Sequence, residues 1–561
     1  MDRRSLLKIA TVGAVALGSN SIASARDKTS DIKASGRNVS ISSIITAGMS
    51  DDDAISLAIK KVTASSGGVV INDLERALEI KNRQVFEINR SSLQGISSSA
   101  GVDKIGIIGH FVLTGGGGFD FIGCQYIHVD VLINGGDGNS ITDTAIRMES
   151  GCVGASFKII GNLYQGTLFG TFGKYNSKTS NGVQSVDDSK ISAFSCGRAF
   201  YISGTTGFGT ISTVWEEYPK GSSVITKSSD VTIGVYENFV PDQNSGCLVI
   251  EDCGSVTFGS LATGAWGQPQ VKVSRTQTMA IGNHLSVLGN KDKNNDDVFA
   301  LDIDAAIVSI GNSRLEKLGS GFRIGGGGTL NIANVTANFV NQLAYLGYAF
   351  DDKRKKQSAF FNAASVTVYR PNSSNCLKDK DLIFISDSVD VGCLVIENIK
   401  VIGMNFKRKD SASRIINSQS SSGNLCIAIG LSVQGIPDNK NFIYIKNIAS
   451  LKRFISSGYS GEIDFNNGTT TGYGEVFSIA DDKPLYNKKS SLPFDRKAKL
   501  YFIFSVDEGG NFEVLVNNSL VYCRYDAGKS SCVVDLQKGD SYMVRMSKCQ
   551  VINERIVYQI A

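Results

Sequence analysis

The pattern of apolar and polar residues changes once, from helical spacing near the amino terminus to short β-type runs over most of the remaining chain. After Ser50 and three aspartates, apolar residues recur at helical spacing between residues 54 and 62. Ser and Asp side chains cap the free N–H groups of a helix and favour the positive end of its dipole. Gly67 and Gly68 end the predicted helix, and residues 69–71 form the first predicted strand.

Beyond residue 62, short β runs alternate with Gly, Asn, Ser and Asp, and several share an apolar residue followed by a small one. The examples are Ile160-Gly161, Ile233-Gly234, Phe258-Gly259, Ile281-Gly282, Ile310-Gly311, Ile332-Ala333, Ile402-Gly403 and Ile429-Gly430. From Ile233 to Ile332 the steps are 22 to 29 residues. This period is typical of one coil of a parallel β-helix. The leucine pattern of leucine-rich repeats is missing, and the tight Asn-Gly and Asp-Gly turns of a β-sandwich are few.

The sequence therefore predicts an all-β protein whose central part, residues 46–480, is a parallel β-helix. With strands about 4.8 Å apart, about fifteen coils would form a rod of roughly 70 Å with one long face suited to a polymer. The polar, Ser-rich residues 26–45 are predicted to be a flexible leader. From Asp481 the chain becomes charged and contains Pro484 and Pro493, and alternating strands follow. Residues 481–561 are thus predicted to form an accessory domain resembling a β-sandwich.

The order of cap, helix, glycine stop and strand resembles the opening of right-handed parallel β-helix proteins of the pectate lyase and polygalacturonase type, and of phage tailspikes. In those families the helix covers the open end of the solenoid. The residues that carry the resemblance are Asp52, Asp53, Ala54, Ile55, Ala58, Ile59, Gly67, Gly68, Val69 and Val70. The polygalacturonase catalytic motifs do not recur here, because Gly109-His110 is followed by Phe111 and Arg323-Ile324 by Gly325. No catalytic role is carried over from that family.

The first 25 residues resemble a twin-arginine export signal. Arg3 and Arg4 precede an apolar run from residue 9 to 17, and Ala23-Ser24-Ala25 offers a cleavage site. The run is too short to span a bilayer. An ordinary secretory signal is the alternative, and either one predicts a protein that is exported to the periplasm or secreted.

Charge and cysteine content exclude several classes of partner. The net charge is +4, and residues 1–25 carry three basic side chains and one acidic, so the remainder is close to neutral. Neither a nucleic acid nor an anionic membrane is expected as a partner. The eleven cysteines show no CxxC or zinc spacing and there are only three histidines, so no metal and no other cofactor is expected. Cys523 and Cys532 would flank a hairpin and are the pair best placed for a disulfide.

The candidate catalytic residues are two glutamates 21 residues apart, Glu216 and Glu237, preceded by the aromatic residues Trp215 and Tyr236. One coil of separation would place the carboxyls about 4.8 Å apart along the rod, where repulsion raises one pKa and creates an acid beside a base. Paired carboxylates are what glycoside hydrolysis requires, and the aromatic rings would stack on sugars. Alignment on Ile211 and Ile233 instead pairs Trp215 with Glu237, and such a one-residue slip reverses the faces. The alternative interpretation is a solvated acidic patch.

Three aspartates are further candidates for substrate binding. Asp252 follows one coil later and would extend the acidic strip. Asp302 and Asp304 alternate with apolar residues and so share one face of a predicted strand. An ordinary solvent-facing strand would show the same pattern.

The organisation of the chain resembles exported β-helix proteins that act on bacterial exopolysaccharides such as colanic acid or amylovoran. This resemblance implies a polysaccharide partner and cleavage or processing of that polymer during its synthesis or release, with Glu216 and Glu237 as acid and base of a glycosidase. A polysaccharide lyase, a non-catalytic polysaccharide-binding scaffold and a tailspike-like depolymerase remain as alternatives. A homotrimer is left open by the sequence.

Overall fold

The computed structural model describes residues 38–64, 67–87, 104–149, 151–173, 183–239, 246–264, 269–287, 299–347, 357–369, 381–402, 414–420, 424–434, 443–446, 451–457, 462–465, 470–472, 490–491, 498–537 and 540–558. The predicted export signal lies outside these residues.

In chain order, the elements are β1 Val39–Ser40, a 3-10 helix Ile41–Ser43, α1 Asp51–Ala64, β2 Gly68–Ile71, β3 Leu78–Ile80, β4 Arg83–Glu87, β5 Ile105–Leu113, β6 Gly118–Ile122, β7 Gln125–Gly135, β8 Thr144–Glu149, β9 Val153–Asn162, β10 Thr167–Phe172, β11 Gln184–Phe194, β12 Arg198–Ser203, β13 Gly209–Glu217, β14 Ser223–Thr226, β15 Val231–Phe239, β16 Leu248–Glu251, β17 Ser255–Gly264, β18 Val271–Ser274, β19 Thr278–Val287, β20 Phe299–Asp304, β21 Ile307–Glu316, β22 Ser320–Gly325, β23 Gly328–Asn338, β24 Gln342–Leu346, β25 Gln357–Tyr369, β26 Ile383–Ile385, β27 Val389–Ile402, β28 Ile416–Ser418, β29 Asn424–Gln434, β30 Ile443–Ile445, β31 Leu451–Ser457, β32 Glu462–Phe465, β33 Thr470–Gly472, β34 Ser490–Ser491, β35 Ala498–Val516, β36 Ser519–Arg524, β37 Gly528–Leu536 and β38 Ser541–Tyr558.

The predicted capping helix is confirmed as α1. The Oγ of Ser50 accepts a hydrogen bond from the backbone N–H of Asp53 at 3.1 Å, which satisfies one free donor at the helix start. The apolar face is buried, and its members are Ala54, Ile55, Ala58, Ile59 and Val62. Residues 38–45, assigned by sequence to the flexible leader, instead belong to the folded start of the rod. β1 pairs in parallel with β2, and Ile41 and Ile44 are buried.

Two parallel sheets wind along the chain and confirm the predicted β-helix. The long strands with odd numbers from β5 to β31 pair each with the next, as β13 pairs with β15 and β15 with β17. The short strands with even numbers from β4 to β32 form the second sheet in the same way. Each coil thus contributes one long and one short strand, and the apolar core lies between the sheets.

The predicted repeat is a physical row of side chains inside the rod. Ile233, Phe258, Ile281, Ile310 and Ile332 occupy equivalent positions on successive coils and are all buried. Ile429 continues the row after Ala363 and Ile396. Ile160 and Ile402 stand elsewhere on their strands and are only partly buried, so the Ile-Gly pattern alone does not fix their register.

The coil corners require left-handed backbone. Ser195 and Tyr218 follow the ends of long strands with φ of 52° and 53°, and Lys227 and Asp252 follow short strands with φ of 48° and 54°. Each of these residues donates its N–H to a carbonyl oxygen of the next coil. The hydrogen bond offsets the steric cost that a non-glycine residue has in this conformation.

The carboxyl-terminal residues form an antiparallel sheet. β35 pairs along its length with β38, while β37 and β36 pair with its first and second halves. The halves meet across a bend at Gly509 and Gly510, where the rings of Phe504 and Phe512 stack with centroids 3.9 Å apart. Cys523 and Cys532 lie on different neighbours of β35 and both are free thiols, so the predicted disulfide is absent.

Candidate functional site

The long strands from β13 to β27 each have two consecutive outward-facing residues near the middle, and this bend decides which side chains face outward. In β15, Ile233 is buried, Gly234 and Val235 are both partly exposed, and Tyr236 is buried again. The pattern in β13 is the same at Ser212 and Thr213. Since two consecutive residues face outward at the bend, the alternation reverses after it.

Because of this reversal, the predicted catalytic pair is not brought together. Glu216 pairs in register with Asn238 and is completely buried, whereas Glu237 pairs with Trp215 and lies on the outer face. Tyr236 is also completely buried and is unavailable for sugar stacking. The pairing of Glu216 with Glu237 as acid and base is therefore corrected, and the register that aligns Ile211 with Ile233 is the observed one.

The Glu216 carboxyl is held by a complete set of polar contacts inside the rod. Its Oε1 accepts hydrogen bonds from the Ala199 N–H and from the Ser223 hydroxyl. Its Oε2 lies 2.5 Å from the Tyr236 Oη and accepts a hydrogen bond from Asn238 Nδ2 at 2.7 Å. These contacts join two neighbouring coils and the facing short strands, so they stabilise the core at this level.

The number of protons available around Tyr236 favours a protonated Glu216. The Tyr236 hydroxyl has one proton but two oxygen neighbours, Glu216 Oε2 and the carbonyl oxygen of Cys247 at 2.8 Å. If tyrosine donates to the carbonyl, the short contact needs a proton from the carboxyl itself. Burial also raises the pKa of Glu216, although its hydrogen bonds act in the opposite direction. Both arguments give Glu216 a structural role.

The outer face at the same level carries an aromatic and acidic patch. Trp215 and Glu237 are neighbours on adjacent coils, and the Trp215 ring lies 6.0 Å from that of Phe239, measured between centroids. On the next coil Ala262 occupies the position equivalent to Trp215 and Glu237, and it is almost completely buried. Burial in this apolar setting raises the pKa of the Glu237 carboxyl above its ordinary value of 4.5.

A second carboxylate, missed by the sequence analysis, lies diagonally from Glu237. Glu217 pairs with Phe239, and Glu237 precedes Phe239 by two residues on the same face. Strand spacing of about 4.8 Å and about 6.7 Å along the strand place the two Cα atoms about 8 Å apart. The signal for this pair was the alternative register, which brings Glu217 and Glu237 to one face. The outer-face patch is defined here as Trp215, Glu217, Glu237 and Phe239.

A groove of about 650 Å³ begins on the coil next to this patch and crosses the strands from β17 to β27. Three glycines on successive coils, Gly259, Gly282 and Gly311, form its floor, and Gly234 extends the same row onto β15. A Cβ added to any of these four would lie 2.6 Å from a backbone oxygen of the preceding coil. Close approach of the coils therefore requires glycine and leaves the floor without side chains.

Small polar residues form the sides of the groove. One side consists of Thr257, Ala280, Ser309, Asn331 and Asn362. Next to the floor runs a ladder of Asn283, Asn312 and Asn334, in which each Nδ2 donates to the Oδ1 of the previous coil at 3.2 and 3.1 Å. Of the residues that line the groove, Glu397 at the far end is the charged one. Hydroxyl and amide groups suit a ligand rich in hydroxyls more than a strongly charged one.

The three predicted substrate-binding aspartates lie on the other side of the rod. Asp252 follows short strand β16 at a corner, where Arg275 Nε donates to its Oδ1 at 2.6 Å and lowers its pKa. Asp302 and Asp304 share the outward face of short strand β20, as expected, and Asp302 is nearly buried against Arg323. These aspartates therefore stand apart from the outer-face patch.

Among the residues that the structure describes, no group of three or more His, Cys, Asp or Glu side chains could hold a metal ion. Within the same residues, no helix is long and apolar enough to cross a membrane.

No protein-family model and no curated protein matches this chain. Solved structures with similarity include a double mutant of the tailspike protein of E. coli bacteriophage HK620, with 12% identity, 93% of each chain covered and a TM-score of 0.29. Tailspike protein 2 of the E. coli O157:H7 bacteriophage CAB120 has 10% identity over 94% of this chain and 69% of that chain, with a TM-score of 0.25. The tailspike protein of Acinetobacter phage vB_ApiP_P1 has 10% identity over 92% and 89%, with a TM-score of 0.22. These similarities are too low to transfer any residue role, and the β-helix rests on the observed strand register.

Proposed function

We propose that the protein is a polysaccharide-active enzyme that binds a glycan along the glycine-floored groove and cleaves it at the outer-face patch. The observation that carries the proposal is Glu237, a carboxyl with a raised pKa that lies beside Trp215 on the coil that precedes the groove. A carboxylic acid that stays protonated nearer to neutral pH is suited to protonate a glycosidic oxygen.

In this mechanism Glu237 is the general acid and Glu217 is the second carboxylate. Retaining glycosidases place their carboxyl groups about 5 Å apart and inverting enzymes about 6.5 to 9.5 Å apart. A Cα separation of about 8 Å is compatible with both, because the side chains can lean toward or away from each other. Trp215 offers an aromatic surface on which the sugar of the leaving group can stack.

The shape of the groove supports a polymeric substrate. Its six successive long strands span about 24 Å at about 4.8 Å per spacing, which accommodates several sugar units. A bacterial exopolysaccharide processed during its synthesis or release is the substrate class that we infer, with the protein exported by its amino-terminal signal. A homotrimer is part of the proposal and is tested by sedimentation of the mature chain.

The test measures release of new reducing ends from the exopolysaccharide of the source bacterium by the mature protein and by Glu237→Gln, Glu217→Gln and Trp215→Ala. We expect Glu237→Gln to lower the rate by about 100-fold or more, since general acid catalysis contributes at least that much. Glu251→Gln is the matched control, because Glu251 ends a short strand on the other sheet. Unchanged cleavage in folded Glu237→Gln and Glu217→Gln variants would contradict the assignment of both residues.

A non-catalytic binding role is the second candidate, favoured by the nearly uncharged groove, which extends well beyond the two carboxylates. A binder would retain the polymer in affinity electrophoresis without releasing reducing ends. A lyase would release unsaturated uronate that absorbs ultraviolet light, which a hydrolase does not. Polymer retention in the gel, reducing-end release and ultraviolet absorbance thus separate the three outcomes.

A further inference from the structure

The face of the short-strand sheet carries a stack of aromatic rings and arginines on β8, β10 and β12. The Arg147 guanidinium carbon lies 4.4 Å from the centroid of the Phe172 ring. The Phe172 and Tyr201 rings stack at 5.6 Å with 23° between their planes. Arg198 ends the stack, with its guanidinium carbon 4.8 Å from the centroid of the Tyr201 ring. A contact of this type between a guanidinium and an aromatic ring holds the cation in place.

Gly170 makes this stack geometrically possible. It occupies the outward position between Arg147 and Tyr201 in the register of the three strands. A Cβ at Gly170 would lie 2.8 Å from an edge atom of the Phe172 ring, so the ring occupies the space that any side chain would need. The arrangement is therefore specified by the backbone as well as by the side chains.

Arg198 makes no ion pair with the residues that the structure describes, whereas three other arginines of this sheet each make one. Arg83 is paired with Asp120, Arg147 with Glu149 and Arg323 with Asp302. Arg198 donates from Nε to the hydroxyl of Thr167 at 2.7 Å, and its two terminal amino groups make no hydrogen bond to the residues that the structure describes. Burial lowers the pKa of Arg198, and the nearby Tyr201 and Glu216 act in the opposite direction without forming an ion pair with it.

We propose that Arg198 binds the carboxylate of an acidic sugar, such as a uronate, at a second glycan site on the short-strand sheet. A guanidinium presents two parallel N–H groups that match a carboxylate bidentately. The contacts with Tyr201 and Thr167 hold the guanidinium of the half-buried Arg198 and leave its terminal amino groups without a hydrogen bond to the described residues. An anionic ligand would supply the ion pair that Arg83, Arg147 and Arg323 make within the chain.

This site does not depend on the proposed cleavage, since Arg198 and the outer-face patch belong to different sheets. The two therefore fail or succeed separately. A glycan that binds both sheets would need acidic sugars at intervals along its chain. The groove itself, with its nearly uncharged lining, would not distinguish acidic from neutral sugars. The second site would thus give the protein a preference for acidic over neutral polymers.

The test is isothermal titration of the full mature chain with an oligosaccharide of glucuronic acid and with the same oligosaccharide as its methyl ester. We expect the ester to bind about 10- to 100-fold more weakly, because hydrogen bonds to a charged group are lost. This comparison needs no variant, and equal affinity of acid and ester would overturn the proposal.

Variants locate the site. Arg198→Gln is expected to lower affinity for the acid to that of the ester, and Arg198→Lys to give an intermediate affinity because a lysine cannot form the bidentate contact. Arg275→Gln removes another surface arginine of the same sheet, one paired with Asp252, and is expected to leave affinity unchanged. Wild-type affinity in folded Arg198→Gln would contradict the assignment, as would displacement of the oligosaccharide by an equal concentration of inorganic sulfate. Binding that persists in Glu237→Gln is expected and separates this site from the cleavage site.

Discussion

Replacement of Glu216 by glutamine tests whether this glutamate is a neutral structural group. Glutamine keeps the shape of a protonated carboxyl, accepts from Ala199 and Ser223 through its oxygen, and donates toward Tyr236 through its amide. The glutamine amide would then face the amino group of Asn238. The Asn238 Oδ1 has no hydrogen-bond partner among the described residues, so rotation of the Asn238 amide turns this oxygen toward the glutamine and restores the contact. We expect Glu216→Gln to change local stability by about 1 kcal/mol or less at pH 5. Glu216→Ala leaves several buried donors unsatisfied and is expected to cost about 3 kcal/mol or more.

The pH dependence gives the sharper test. A carboxyl whose pKa is raised in the folded state stabilises the fold fully below the unfolded value of 4.5, and this contribution is lost as the pH rises toward the folded pKa. The stability of the wild type relative to Glu216→Gln should therefore fall with increasing pH above 4.5, by at most about 1.4 kcal/mol per pH unit. Because long solenoids unfold locally, the assay is amide hydrogen exchange of β12 to β15 between pH 5 and 8.

An advantage of the wild type that grows with pH would refute the proton count, since an ionised Glu216 gains from its donors as it loses its proton. Cleavage activity provides a second readout. Glu216→Gln should retain the reducing-end release of the wild type, whereas a catalytic Glu216 would lose it even when the fold is intact.

Two further predictions concern the core and the groove floor. His284 is buried, with its Nδ1 2.9 Å from Ser313 Oγ, and burial lowers its pKa to about 4 from 6.5. The stability that neutral His284 contributes is complete above pH 6.5 and decreases by about 3 kcal/mol as the pH falls to 4. Hydrogen exchange of β19 should show this loss in the wild type and not in His284→Leu. Leucine is chosen because Leu261 occupies the equivalent position on the preceding coil. Gly282→Ala places a Cβ 2.6 Å from the Gly259 oxygen and should lower the free energy of unfolding by about 1 to 3 kcal/mol, measured by thermal unfolding. The control Ala280→Ser on the same strand should change it little. Equal stability of the two variants would show that the coils can separate without cost.

The sequence predicted the capping helix, the parallel β-helix and the row that begins at Ile233, because each rests on a strong local pattern. It did not predict the faces of Glu216 and Glu237. In β13, alternation counted from buried Ile211 would place Trp215 inside and Glu216 outside, and the two outward residues at the bend reverse both positions. The bend is carried by Ser212 in one coil and glycine in the next, and neither residue signals an extra outward position. The register of β13 against β15 was likewise ambiguous by one residue from the sequence alone, and only the pairing of the two strands in the structure decides it.

The Arg198 site could not have been found from sequence for a related reason. Its partners Thr167 and Phe172 lie on the preceding coil and Arg147 on the coil before that, at separations of up to 51 residues. No spacing rule joins them, because the connecting turns differ in length from coil to coil. What joins them is the fixed spacing of about 4.8 Å between strands, which turns distant residues into neighbours on one face. In such a rod, a site is a property of rows across coils, so the search for chemistry must follow rows. Rows across coils separate Glu216 from Glu237, join Glu237 to Glu217, and place Arg198 beside Thr167 without an ion pair among the residues that the structure describes.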